Sequence, residues 1–188
     1  LIDDSATELL AAAGRGDEAA SDRLFTLLYD ELHRCAHRQL RHSSAETLST
    51  TALVHETYLK LINARTLEAQ SHQHFMALAA RAMRQILVDH ARRVGADKRG
   101  GGALFVTLDE HLPESASEAL EVLALDRALT TLEQIDERAA RVVHLHFFAG
   151  LTFPAIAELE GLNERTIKRD WQAARVLLAT EMNAPGNS

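Results

Sequence analysis

LTFPAIAELEGLNERTIKRDWQAARVLL, residues 151–178, carries two helical repeats broken by one glycine. Thr152 is an N-cap residue for the first, and Pro154 falls in its first turn, where a missing N–H costs nothing. Ile156, Ala157 and Leu159 supply its apolar contacts, and Gly161 permits a sharp turn. Asn163 then caps a second helix in which Ile167, Trp171, Ala174 and Leu178 share one buried stripe. The opposite face holds Arg165, Lys168, Arg169, Gln172 and Arg175. Such side chains hydrogen-bond base edges and pair with phosphates, and the N-terminal half of the helix is the part that enters a major groove. The stretch reads as a DNA-binding helix-turn-helix, with an amphipathic hairpin whose charged face is merely solvated as the plainer alternative.

The net charge of −7 argues against a protein that coats nucleic acid by bulk attraction, but the charge is segregated. Acids dominate Leu1–Glu31, where only Arg15 and Arg23 oppose them. Between Phe75 and Gly102 the sign reverses, because Arg81, Arg84, Arg92, Arg93, Lys98 and Arg99 outnumber Asp89 and Asp97. Asp109–Glu121 is acidic again. Two basic surfaces thus sit inside an acidic chain, and that remainder weakens indiscriminate binding to duplex or engages a basic protein.

With 188 residues, 46% of them hydrophobic, the chain has room for one ordinary domain or two small helical ones. A lone Cys35 excludes an internal disulfide framework. The start, LIDDSATELL, lacks the layout of a secretory signal, and no apolar run is long enough to span a bilayer, so the expected location is the cytoplasm, without membrane attachment. The absence of Met at position 1 reads as numbering that begins inside a longer native chain.

The periodicity predicts an all-α protein. Ser5 with Glu8 reads as a capping box for a short helix ending near Gly14–Gly16, and a longer helix from about Ser21 to Arg41 repeats Leu24, Leu27, Leu28, Leu32 and Leu40. A third runs from about Thr51 to Asn63, burying Leu53, Val54, Tyr58 and Leu61. The fourth runs from about His72 to Arg93, burying Met76, Ala79, Ala80, Met83, Leu87 and His90 and ending at Gly95. Gly100–Gly102 and HLPESASE then read as flexible linker, with ALFVTL between them a candidate extended piece. Ser115 with Glu118 reads as another capping box, before helices over about 116–134 and 136–149 that lead into the hairpin. The expected organisation is a first domain at 1–94, a linker at 95–115, a second domain at 116–183 and a disordered tail at 184–188.

Opposite the apolar stripe of the fourth helix, Arg81, Gln85, Asp89, Arg92 and Arg93 recur at near-helical spacing. They form a second candidate nucleic-acid face, able to hold unstacked bases while arginines neutralise phosphates. Other chemistries find little support. His33 and His37 lie one turn apart, but Cys35 points away from them and no HExxH pattern is present. There is no glycine-rich phosphate loop and no GxSxG, so no enzyme activity, no cofactor and no metal is expected.

Together these features resemble the extracytoplasmic-function (ECF) sigma factors, small two-domain promoter-recognition subunits of bacterial RNA polymerase. The resemblance spans nearly the whole chain. TALVHETYLKL, residues 51–61, is similar to the family helix that docks on the clamp helices of the largest polymerase subunit. FMALAARAMRQILVDHARR, residues 75–93, is similar to the promoter-opening helix, and the hairpin to the minus-35 reader. The resemblance implies that Arg81, Arg84, Gln85, Asp89, Arg92 and Arg93 hold the non-template minus-10 strand. It assigns the minus-35 duplex to Arg165, Thr166, Lys168, Arg169 and Arg175, and core RNA polymerase to Leu53, Val54, Glu56, Thr57, Leu59 and Lys60. Tethering both DNA modules to one polymerase lets two weak contacts give a selective complex with promoter DNA.

One departure from the family pattern is pronounced. Members commonly carry an acidic Asp-Ala-Glu-Asp cluster before the Leu-Val pair, whereas this chain has Ser49, Thr50, Thr51 and Ala52. A phosphothreonine brings about −1.5 to −2 charges, which backbone amides at a helix N-terminus favour. The expectation is activation by a Ser/Thr protein kinase at Thr51, with Ser49 or Thr50 as alternatives and plain N-capping as the competing reading. An anti-sigma factor is compatible with the resemblance, although a kinase route makes one less necessary. Two rivals remain: a polymerase-independent helix-turn-helix regulator, which would footprint DNA unaided, and a helical interaction adaptor without salt-dependent DNA binding.

Overall fold

The protein, seen here as a computed structural model, is described over residues 2–40, 48–63, 71–100 and 114–183, and among these residues there are helices and no strand. The helices are α1 (Ile2–Gly14), α2 (Glu18–Leu40), α3 (Thr50–Asn63), α4 (His72–Gly100), α5 (Glu114–Ile135), α6 (Glu137–Val143), α7 (Phe153–Glu160) and α8 (Glu164–Asn183). A wide π turn at His144–Phe148 continues α6. The residues expected to form ALFVTL, most of the linker and the tail beyond Asn183 lie outside the described residues.

Several helix starts differ from the sequence expectation. α1 begins at Ile2, so Ser5 lies within the helix rather than at its cap, and the expected box with Glu8 does not start it. α2 starts before Ser21 because Asp17 accepts the Ala20 N–H at 3.0 Å. α4 does not end at Gly95 but continues to Gly100, since one interior glycine costs only about 1 kcal/mol. α5 begins at Glu114, which leaves Ser115 inside it.

The first four helices pack around Leu10, Leu24, Leu28, Leu32, Leu53, Val54 and Met83, all fully buried. Leu27 and His90, placed in apolar stripes by the sequence reading, are instead exposed and half-buried. A second cluster, Val142, Leu145, Ile156, Ala157 and Ile167, holds the C-terminal helices together.

The two halves also meet. Leu129 and Leu132 of α5, with Phe148 and Ala149, join the same apolar cluster as Met76, Ala79 and Met83 of α4 and Cys35 and Ala36 of α2. Ala82, Ile86 and Val88 of α4 are buried in addition to the expected stripe. A helix that buries so broad an arc must be covered on two sides, and α5 provides the second cover. Arg81 and Arg169 stay exposed despite this packing. Among the described residues no helix is long and apolar enough to cross a membrane.

Candidate nucleic-acid interface

The hairpin is built by local hydrogen bonds. Thr152 accepts the Ala155 N–H at 3.4 Å, and Gly161 closes α7 in the left-handed conformation, with φ 64°. The Asn163 side chain accepts both the N–H and the hydroxyl of Thr166, at 2.8 and 3.0 Å. Thr166 is therefore committed to the cap of α8. Ile167 and Ala174 are buried and Trp171 half-buried, so Arg165, Lys168, Arg169, Gln172 and Arg175 are turned to solvent. Lys168 forms an i,i+4 pair with Glu164 at 2.6 Å, an exposed contact that a phosphate can displace at little cost.

Helix α8 is anchored from behind. Asp170, with 4% of its surface exposed, receives two hydrogen bonds from Arg138 of α6, at 2.6 and 3.2 Å. The hydrogen bond and charge of Asp170 raise the Arg138 pKa. His146, in the π turn, stacks on Phe153 at 4.2 Å and meets the edge of Trp171 at 4.8 Å, while its Nδ1–H donates to the Leu151 carbonyl at 2.8 Å. Through these contacts the π turn fixes how α8 projects from the body.

On α4, Arg81, Gln85, Asp89, Arg92 and Arg93 are exposed, as their spacing predicts. Arg84 is different. Its side chain is 14% exposed and reaches α5, where Nη2 donates to Asp126 at 2.6 Å and Nη1 lies 3.7 Å from Glu133. Nη1 also lies 2.8 Å from Nε2 of His144. The same Nε2 lies 3.2 Å from Glu133, so it meets a group that only donates and one that only accepts. Burial first, and then the Arg84 charge, lowers the His144 pKa. Arg92 reaches toward the same Asp126, at 3.7 Å.

The expected polymerase-docking residues divide by face. Leu53, Val54 and Thr57 are buried, and the Thr57 hydroxyl donates to the Leu53 carbonyl at 2.7 Å, so these three shape the core behind the helix. Glu56 and Leu59 are exposed and Lys60 is half-buried. At the start of α3, Ser49 accepts the Ala52 N–H at 3.1 Å, Thr50 is half-buried and Thr51 is exposed.

Two cationic helices in this order, the second in a capped hairpin, agree with a match to the ECF sigma factor family over residues 3–184. The chain belongs to that family. No curated protein matches it closely enough to add a relative. Membership gives the sigma factor a role in transcription initiation, as a non-enzymatic DNA-binding protein whose partners are core RNA polymerase and promoter DNA.

Four residues that matter to this sigma factor's surfaces escaped the sequence reading: Asp126, Glu133, His144 and Asp170. A signal was present for three of them. Asp170 lies three residues after Ile167 and four before Ala174, which puts an acid on the buried stripe itself. Asp126 and Glu133 flank Leu129 at the same spacings. His144 carried no comparable signal, because a π turn rotates the residues beyond α6 out of the regular helical register.

Proposed function

We propose that this sigma factor binds duplex minus-35 DNA with Arg165, Lys168, Arg169, Gln172 and Arg175 of α8. In the same reading Arg81, Arg84, Gln85, Asp89, Arg92 and Arg93 of α4 hold the non-template minus-10 strand, and Glu56, Leu59 and Lys60 carry the outward part of the contact with core polymerase. Helices α1–α4 and α5–α8 act as the two promoter-binding modules, and the linker expected at 95–115 is shortened because α4 continues to Gly100 and α5 starts at Glu114. The observation that carries this reading is the pair of solvent-facing cationic strips on α4 and α8, each backed by a buried apolar stripe. Charge of that kind on two helices of one polypeptide suits a bipartite promoter bound with the help of a larger enzyme.

Activation by a Ser/Thr kinase completes the proposal. Ser49 already caps α3, so a hydroxyl at Thr51 is not needed for capping, and it is exposed in the first turn. A phosphate there restores the negative charge that the family's acidic cluster supplies, with the α3 dipole in its favour. An anti-sigma factor is a less necessary partner under this scheme.

The test is reconstituted transcription with cognate core polymerase, on promoter fragments selected by the holoenzyme from a random library. Kinase-treated protein and Thr51→Glu should give more promoter-specific transcript than unmodified protein or Thr51→Ala. Equal activity of all forms would remove the kinase from the scheme. Sequence-specific footprints made without polymerase would replace the sigma assignment with that of a self-sufficient regulator.

A further inference from the structure

The outward face of the N-terminal half of α8 is cationic or neutral except at Glu164. Glu164 is the first residue of the helix and lines an open groove with Arg165, Lys168, Arg169 and Gln172. Capping does not require it, because the Asn163 side chain already accepts the Thr166 N–H. Its Oε1 lies 2.6 Å from Nζ of Lys168, while Oε2 has no hydrogen-bond partner among the described residues. The Phe153 ring steadies the ammonium, which stands 6.0 Å from the ring centroid. The groove therefore offers an acceptor and a donor side by side, at the end of the helix that approaches base edges.

A carboxylate carried to DNA is repelled by phosphates, and the major groove offers it only two kinds of donor, the amino groups of cytosine N4 and adenine N6. Adenine sets its N7 acceptor beside the amino group, where a carboxylate finds nothing to accept. Cytosine N4 lies instead beside guanine O6 of its own pair, about 2.9 Å away because a base-pair hydrogen bond joins them. Guanine O6 and N7 accept from a lysine. The spacing of Glu164 and Lys168 matches that edge. A phosphate that takes Lys168 leaves the Glu164 carboxylate facing the duplex unanswered, whereas a C·G pair answers both charges.

We propose that Glu164 and Lys168 together read one C·G pair of the minus-35 element, Glu164 accepting from cytosine N4 and Lys168 donating to guanine O6 or N7. This inference rests on the assignment of α8 to the minus-35 duplex. Glu164 is then a specificity-determining residue that acts largely by rejection. With thymine or guanine in cytosine's place, the carboxylate meets an O4 or O6 acceptor and stays unpaired.

The experiment uses holoenzyme reconstituted with wild-type protein, Glu164→Gln or Glu164→Ala, all in one modification state. Each selects from a random promoter library, and the selected fragments are titrated over a range of salt. Wild type should prefer C over T or G by about tenfold at one minus-35 position. Glu164→Ala should lose that preference, and Glu164→Gln should transfer it to A, whose N6 and N7 a glutamine side chain matches. Other positions should keep their order of bases, and the salt slope should not fall, because no phosphate contact is removed. Tighter binding of every sequence with the same order of bases reduces Glu164 to a source of repulsion and overturns the proposal. Weaker binding of every sequence with a lower melting temperature reduces it to a support for α8 and overturns the proposal equally. An element that both variants select unaltered strikes the role of Glu164 alone, whereas a wild-type holoenzyme that selects no minus-35 element strikes the assignment of α8 and this inference with it.

Discussion

The cationic faces of α4 and α8 are built from the same residue types, yet different things answer them. On α8, Arg165, Gln172 and Arg175 face solvent, Lys168 is in an exposed pair with Glu164, and Arg169, itself exposed, lies 3.7 Å from Asp170, which Arg138 holds below the surface. On α4, Arg84 is drawn out of solvent by Asp126, Glu133 and His144 from the C-terminal half. One face is presented by its scaffold, and the other is shared between two halves of the chain. The difference teaches that a charged helix cannot be judged available from its own sequence, because the partner that neutralises it is supplied by another element.

The largest effect that bears on this contrast concerns the junction. Leu129 has no surface exposed and belongs to the cluster that spans both halves, so Leu129→Ala should cost about 2–5 kcal/mol. Because the core is continuous, wild-type protein should unfold in urea through one transition that the substitution moves as a whole. Two separate transitions, with only the second displaced, would show that the halves are independent and that the contrast between the faces is one of sequence alone.

Next is the open face. Replacing Arg165 and Arg169 together with Ala should lower promoter affinity of the holoenzyme by at least about tenfold. Where both arginines meet phosphates, the slope of log affinity against log salt should shrink by about 1.8. Stability should barely change, since both side chains are exposed. A large fall in melting temperature would mean that these arginines support α8 rather than serve DNA. A smaller effect is expected from Asn163→Ala, which removes the acceptor for the Thr166 N–H and should cost about 1 kcal/mol, read as a lower melting temperature and weaker duplex binding.

The hairpin was legible because its determinants are local. Thr152, Gly161 and Asn163 act on residues within four positions of themselves, and the stripe from Ile167 to Leu178 declares its buried side by spacing. The outward arginines of α4 followed from the same logic. Arg84 did not, since its partner Asp126 is 42 residues away, and no periodicity within α4 carries that information. Gly95 misled for the opposite reason, as its local preference to stop a helix was too weak to end α4. The roles of Leu53, Val54 and Thr57 were blurred because α3 has two faces and the stretch that resembles a family motif spans both.

The smallest effect should be a dependence on pH arising from His144. Its ring lies 2.8 Å from Arg84 and 3.2 Å from Glu133, and is close enough to Arg81 to feel its charge. Burial, followed by Arg84, depresses its pKa in the folded protein below the ordinary value near 6.5, while Glu133 acts in the opposite direction. The unfolded chain therefore binds a proton that the folded chain resists, and stability must rise with pH across the window between the two values. His144 accordingly penalises the fold least above pH 6.5. As pH falls through that value the fold weakens, and the loss levels off below the depressed pKa. His144→Gln keeps a hydrogen-bonding side chain without a titrating ring and should flatten this part of the stability profile. Thermal melts of wild type and His144→Gln should therefore diverge at the acid end, where an imidazolium placed against Arg84 weakens the α4–α5 junction. A stability that falls equally with acid in wild type and in His144→Gln would assign the pH response to another group and leave the junction insensitive to this histidine.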